Sequence, residues 1–228
     1  MLNAVSTPFL TVAPGITVVY QDDSLLVLNK PAGLLSVPGR GPDKQDCLSA
    51  RVQRQFPDAL IVHRLDMATS GLMLMARGTA AQRQLSQAFA QRLVDKKYVA
   101  IVDGHLAPPA ADWGLIDLPI AVDWPRRPLR IIDAELGKLS QTRWRVLAQL
   151  TLSDGQAATR LELEPVTGRS HQLRVHMQAM GHAMVGDALY ASAAVQARAN
   201  RLLLHACSLS FLHPLNSQRL SVHSPPDF

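Results

Sequence analysis

Apolar positions along the chain fall into short segments of two periods, strand-like and helix-like, in no repeating order. Ile16–Tyr20 and Leu25–Asn29 are β-branched or apolar runs joined by Gln21-Asp22-Asp23-Ser24, which predicts a hairpin. Leu48, Val52 and Phe56 recur at helical spacing over 46–56, and Pro57 closes that segment. Leu72–Ala76, just after a glycine, predicts a buried strand. Thr79 and Gln82 form a capping-box pair that opens a helix to about Arg92, with Leu85 and Phe89 on its inner face. Tyr98–Val102 predicts a second buried strand. Trp144–Leu150 and Thr159–Glu164 alternate as half-solvated antiparallel strands do. Ser170 is placed to cap a helix to about Met180, with Leu173, Met177 and Met180 on one stripe. Leu202–Ala206 predicts a further strand. The proline-bearing stretch 107–128 predicts a loop-rich insertion with one brief strand at most. With no βαβ rhythm, the pattern predicts an α+β fold on a mixed, largely antiparallel sheet.

Composition narrows this picture. A chain of 228 residues and 24.9 kDa holds one sizeable core, or at most two small domains. Hydrophobic residues at 47% against 18% charged exclude a disordered chain. No apolar run reaches the ~18–20 residues that span a bilayer, so no membrane association is expected. No basic region precedes the first apolar residues, which predicts no secretory leader and a cytoplasmic location. Cys47 and Cys207 are then expected as free thiols. The net charge of +5 admits an anionic partner without identifying one. Of 23 basic residues 18 are Arg and 5 Lys. Arg offers a planar fork to phosphates and stacks on bases, although a genome rich in G and C would give the same bias.

Three polar segments interrupt the apolar pattern. In His63-Arg64-Leu65-Asp66-Met67-Ala68-Thr69-Ser70-Gly71, Asp66 sits between apolar residues before a small polar turn. It is either a catalytic carboxylate or a turn cap, and a buried carboxylate requires a partner. Arg64, two residues earlier, falls on the same side of an extended segment, for a salt bridge or an RNA contact. Tyr98, in Lys96-Lys97-Tyr98, reads from spacing alone as a core tyrosine. In Gly168-Arg169-Ser170-His171-Gln172-Leu173-Arg174-Val175-His176, Arg169 and Arg174 flank His171 at a loop-to-helix junction. That suits a phosphate or carboxylate, or simply a solvated basic face. His171 and His176 are five apart, not the four of a zinc-gripping helix, so no metal site is expected. No phosphate-cradling glycine loop is present, so no nucleotide cofactor is expected either.

Taken in order, five segments resemble the RluA family of RNA pseudouridine synthases. His63–Gly71 looks like the signature around that family's essential aspartate, and Asn29-Lys30-Pro31-Ala32-Gly33-Leu34-Leu35-Ser36-Val37-Pro38-Gly39 looks like its N-terminal motif. KKYVAIVDG resembles the strand of the active-site tyrosine, PVTGRSHQLRVHMQAMGHAMVGDALY the segment of the active-site arginine, and LLLHA the closing strand. The likeness runs from about residue 18 to the C-terminus. It departs at Gly181-His182-Ala183-Met184, where relatives usually read Gly-His-Pro-Ile.

The resemblance implies the pseudouridine synthase fold, two lobes of α+β structure around a basic central cleft. It implies one catalytic domain over 1–228, without the S4 domain of longer relatives. The implied reaction breaks the N1–C1′ bond of a uridine, turns the uracil and rejoins it through C5, with no cofactor or metal required. Asp66, Tyr98 and Arg174 would be catalytic: the carboxylate, a ring stacked on the uracil, and the cation that keeps Asp66 ionised. Arg64 would fill the gap left by a flipped base, and Leu203 or Leu204 would wall the pocket. Arg169 and His171 would contact substrate. Arg40, Arg126 and Arg127 are candidates for backbone contacts or ordinary surface charge. The implied partners are RNA alone, a 23S rRNA stem-loop and the anticodon stem-loop of certain tRNAs, with the protein acting as a monomer. A catalytically inactive RNA-binding module of the same fold is the alternative. A hydrolase would call for a second carboxylate across the bond.

Overall fold

The computed structural model describes residues 10–13 and 16–228. The expectation about a leader falls mainly on 1–9 and 14–15 and lies outside the described residues. Along the chain run β1 (Leu10–Ala13), β2 (Ile16–Gln21), β3 (Leu25–Lys30), α1 (Leu48–Gln53), β4 (Ala59–Ile61), β5 (Ser70–Arg77) and α2 (Gly78–Ala90). Next come β6 (Asp95–Asp103), β7 (Gly114–Asp117), β8 (Ile120–Val122), β9 (Arg130–Ile132), β10 (Gln141–Thr151) and β11 (Ala157–Pro165). α3 (Gln172–Ala179), α4 (Ala193–Gln196), β12 (Leu204–Leu212) and β13 (Arg219–His223) complete the chain. Few helices accompany mostly antiparallel strands, the α+β class expected. The chain divides into two compact units, one of 1–94 with 208–224 and one of 95–207 with 225–228.

In the first unit β1, β2, β3 and β5 pair antiparallel in that order, β4 adds to β5, and β13 pairs with the second half of β12. β3 and β5 carry almost unbroken apolar sequence because both faces are covered. Leu25, Val27, Leu72, Leu74 and Phe211 pack with Leu85 of α2 into one cluster. Each such side chain contributes about 1.5–3 kcal/mol on burial. Phe89, on the inner face of α2, stacks on His63 with ring centroids 4.2 Å apart.

The capping-box expectation is corrected. α2 begins at Gly78, after Arg77, with no side-chain cap, and Gln82 instead donates to the Ile61 carbonyl at 3.0 Å. A tertiary partner outcompetes the local one.

In the second unit β6, β11, β10 and β7 pair antiparallel in that order, and β8 pairs with β9. The insertion 107–128 thus holds two strands, β7 at the sheet edge and β8, where one brief strand was expected. An edge strand of four residues with only Ile116 buried has too little alternation to be read from sequence. On the open face Arg143 and Arg145 pair across strands with Glu164 and Glu162, and Lys97 bridges both acids. Ile120, Val175 and Tyr190 seat α3 against the β8–β9 hairpin.

The cap expected at Ser170 is also corrected. His171 precedes α3 in a left-handed conformation, φ 59°, without a side-chain cap bond. The Gln172 side chain instead ties the preceding loop to β10. Its carbonyl oxygen accepts from Arg169 N at 3.0 Å and Thr167 Oγ1 at 2.6 Å, while its amide donates to the Gln141 carbonyl and Thr142 Oγ1. Cys47 and Cys207 are both free thiols.

Candidate active site

Asp66 belongs to the first unit, in the loop between β4 and β5, half-buried, with Arg64 exposed beside it. The turn after it is closed by Thr69 N donating to the Asp66 carbonyl at 3.1 Å. Both of its neighbours are pinned by the segment that follows β3. Ser36 Oγ, 3% exposed, donates to the Leu65 carbonyl at 2.7 Å and accepts from Leu65 N at 3.1 Å. Lys30 Nζ donates to the carbonyls of Pro31 and Leu34 at 2.8 Å and of Met67 at 3.1 Å. Gly33 N also reaches the Met67 carbonyl, at 2.9 Å. The pinning segment is anchored in turn, since Leu48 N at the start of α1 donates to the Leu35 carbonyl at 2.7 Å. The backbone on each side of Asp66 is therefore immobilised by side chains 29 and 37 positions away in sequence.

Lys30 is completely buried. Its burial pushes the ammonium down to about 7, with the Asp66 carboxylate pulling the other way. Below about 7 the folded and unfolded chains both hold this proton. Between about 7 and the ordinary 10.5 only the unfolded chain does, so stability rises with pH across that window. Wild-type protein is expected to gain stability relative to Lys30→Met between about pH 7 and about pH 9.5, measured by urea unfolding. A constant difference across that range contradicts the shift.

The other predicted site residues lie in the second unit. Arg174, on α3, is 3% exposed and is gripped by Asp187, Nε to Oδ2 at 2.8 Å and Nη2 to Oδ1 at 2.6 Å. The Asp187 side chain is fully buried, and its Oδ1 also accepts from the backbone N–H groups of Leu189 and Tyr190. Gly186 makes this turn possible: its φ is +77°, and a Cβ there would lie 1.8 Å from the Arg201 carbonyl oxygen. The Arg174 guanidinium sits 5.0 Å from the centre of the Tyr190 ring. Tyr190 Oη accepts from Arg130 N at 3.0 Å and is hydrogen-bonded to His171 Nδ1, 2.6 Å away. The phenol is raised above its ordinary value by burial. Arg174, His171, Asp187, Tyr190 and Arg130 thus form one network with a rigid geometry.

Tyr98 stands half-buried on β6, opposite Leu163 of β11. Leu203 packs against the Ile101, Ala158 and Val185 cluster, and its carbonyl accepts from Ile101 N, three residues along β6 from Tyr98. Leu204 is buried, 3% exposed. Arg169 is exposed, and its Nε reaches the Leu139 carbonyl at 3.2 Å. His176 is buried between Thr142 Oγ1 and the Leu118 carbonyl, with its pKa lowered by burial, so it anchors α3. Sequence reading missed the clamp roles of Lys30 and Ser36 and the Asp187 and Tyr190 partners of the basic helix. A lysine closing a strand that begins with four apolar residues was the one local signal for the first of these.

The chain belongs to the RNA pseudouridylate synthase family, whose model matches residues 24–179. Membership makes it an isomerase that acts on RNA. Among its relatives, the Dual-specificity RNA pseudouridine synthase RluA of Yersinia pestis is 51% identical over 197 residues, 86% of this chain and 92% of that protein. The protein of the same name from Escherichia coli strain K12 is 47% identical over 215 residues, 94% of this chain and 95% of that one. Among solved structures, Human RNA Pseudouridylate Synthase Domain Containing 1 shares 30% identity at a TM-score of 0.78, over 93% of this chain and 84% of that one. Human RNA Pseudouridylate Synthase Domain Containing 4 shares 25% at 0.70, over 92% and 88%.

Proposed function

We propose that this synthase converts uridines of a 23S rRNA stem-loop and of tRNA anticodon stem-loops to pseudouridine, with Asp66 as the reacting carboxylate. The observation that carries this reading is the clamp. Leu65 and Met67 are tied down by Ser36, Gly33 and Lys30, while the residue between them is left half-exposed. A structural turn aspartate needs no such aim, whereas a group that must meet one atom of a substrate does. The name of the bacterial relatives, a dual-specificity enzyme, supports two RNA substrates.

In the reaction the N1–C1′ bond breaks, a C5–C1′ bond forms, C5 gives up its proton and N1 gains one. Atoms balance without any added reagent. In this reading Asp66 acts on the sugar or the base, while the roles of Arg174 as a cation and of Tyr98 as a stacking ring rest on the family resemblance. Base and enzyme meet only when the uridine leaves its stack, which is easiest in a loop. Arg64, exposed beside Asp66, suits the gap this leaves. Leu203 and Leu204 supply apolar wall, and Arg169 and His171 face the RNA.

Mapping pseudouridines in total RNA from cells lacking this gene tests the substrate assignment. Loss of one 23S rRNA site together with an anticodon-stem-loop site is expected, and restoration by wild-type protein but not by Asp66→Asn. An unchanged map contradicts it.

A further inference from the structure

Trp124 is the most exposed aromatic with a cation laid on it. The residue is 66% exposed, and the Arg127 guanidinium carbon lies 3.5 Å from the centre of its ring. At van der Waals distance the cation holds one face of the indole. The loop itself is firm. Asp123, 5% exposed, accepts from the backbone N and the Nε of Arg126, at 3.2 and 2.7 Å. Asp123 N and Leu129 N close the loop through the carbonyls of Leu129 and Arg126. Pro125 and Pro128 restrict the backbone further. The foot of the hairpin is continuous with the α3 network, since Leu129 and Ile132 pack on Val175 and Tyr190 and Arg130 N donates to Tyr190 Oη.

A large apolar ring held rigidly in water, among exposed arginines and beside the one acid that Arg126 already occupies, calls for a flat ligand with negative charge. We infer that the Trp124–Arg127 pair is a stacking platform for an unpaired base of the RNA substrate. Aromatic stacking tolerates any base, so this platform adds affinity and register without demanding a sequence. A protein partner would call for a broader apolar surface than one indole ringed by Pro125, Arg126 and Arg127. The inference rests on the reading of the chain as a stem-loop-modifying enzyme.

The test is fluorescence anisotropy with a labelled anticodon-stem-loop hairpin and the same hairpin carrying abasic sites through its loop. The abasic RNA keeps the phosphates and removes the bases. Wild-type protein is expected to favour the intact hairpin. Trp124→Ala is expected to weaken intact binding about ten-fold and leave abasic binding unchanged, with Trp124→Phe keeping most of the affinity. Equal binding of both hairpins by wild type, equal weakening of both by Trp124→Ala, or no change in either overturns the platform. So does a changed sedimentation coefficient of Trp124→Ala with RNA binding intact, which assigns the surface to a protein contact. Pseudouridine is scored in the same samples. Its absence with Trp124-dependent binding contradicts the enzymatic reading and leaves the platform standing; its presence with Trp124-independent binding does the reverse.

Discussion

Asp66→Asn is expected to lower pseudouridine formation by about 10³-fold or more while leaving RNA affinity and thermal stability close to wild type. Asparagine keeps the shape of the side chain and removes its charge. The turn is closed by the Asp66 backbone carbonyl, which the substitution does not touch. Ser36, Gly33 and Lys30 hold the flanking backbone, so the variant side chain occupies the same place. Asp66→Glu carries the charge but moves it by one methylene from a backbone that cannot follow, and it is expected to lose most activity as well. Analysis of digested RNA for pseudouridine, alongside a binding titration, checks both. Retained activity in Asp66→Asn removes the carboxylate from the chemistry. Binding lost together with activity assigns it to substrate recognition instead.

The second large effect is expected at Asp187. Removing it takes the bidentate Asp187 partner from the Arg174 guanidinium, 4% exposed, and leaves the N–H groups of Leu189 and Tyr190 without their shared acceptor. Breaking a buried pair on one side costs about 3–5 kcal/mol. For a chain of this size Asp187→Ala is therefore expected to lower Tm by roughly 6–20 °C. Arg174→Met with Asp187→Leu removes both charges and is expected to recover much of that loss. Thermal unfolding of Asp187→Ala and of the double variant checks this. A fall of less than about 2 °C in Asp187→Ala contradicts a tight buried pair.

Burial on both faces is why the middle of the molecule could be read from sequence. Leu25–Leu28 of β3 and Leu72–Ala76 of β5 are unbroken apolar runs, and Leu85 and Phe89 repeat at helical spacing toward them, so element types followed from the pattern. The two helix starts were misread for different reasons. Gln82 offered a local cap but donates to the distant Ile61 carbonyl, so a tertiary hydrogen bond displaced a local one. At α3 the left-handed His171 occupies the position before the helix in place of Ser170.

The site was legible in a different way. Asp66, Tyr98 and Arg174 stood out through resemblance, since from spacing alone Asp66 read more readily as a turn cap and Tyr98 as core. The partners that fix two of them were hidden by distance. Asp187 lies 13 residues after Arg174, and Lys30 lies 37 before Met67. A lysine ending a strand ordinarily points to solvent. Here three carbonyl oxygens converge on its ammonium, and such convergence exists only in the folded chain.

The shortest route to the claim about Asp66 is tritium release from RNA labelled at C5 of uridine, because the new glycosidic bond forms at that carbon and its hydrogen must leave. Purified wild-type protein is expected to free tritium up to one equivalent per modified site, and Asp66→Asn none above background. Undiminished release by the variant, or none by the wild type on RNA lacking its own modifications, contradicts the account.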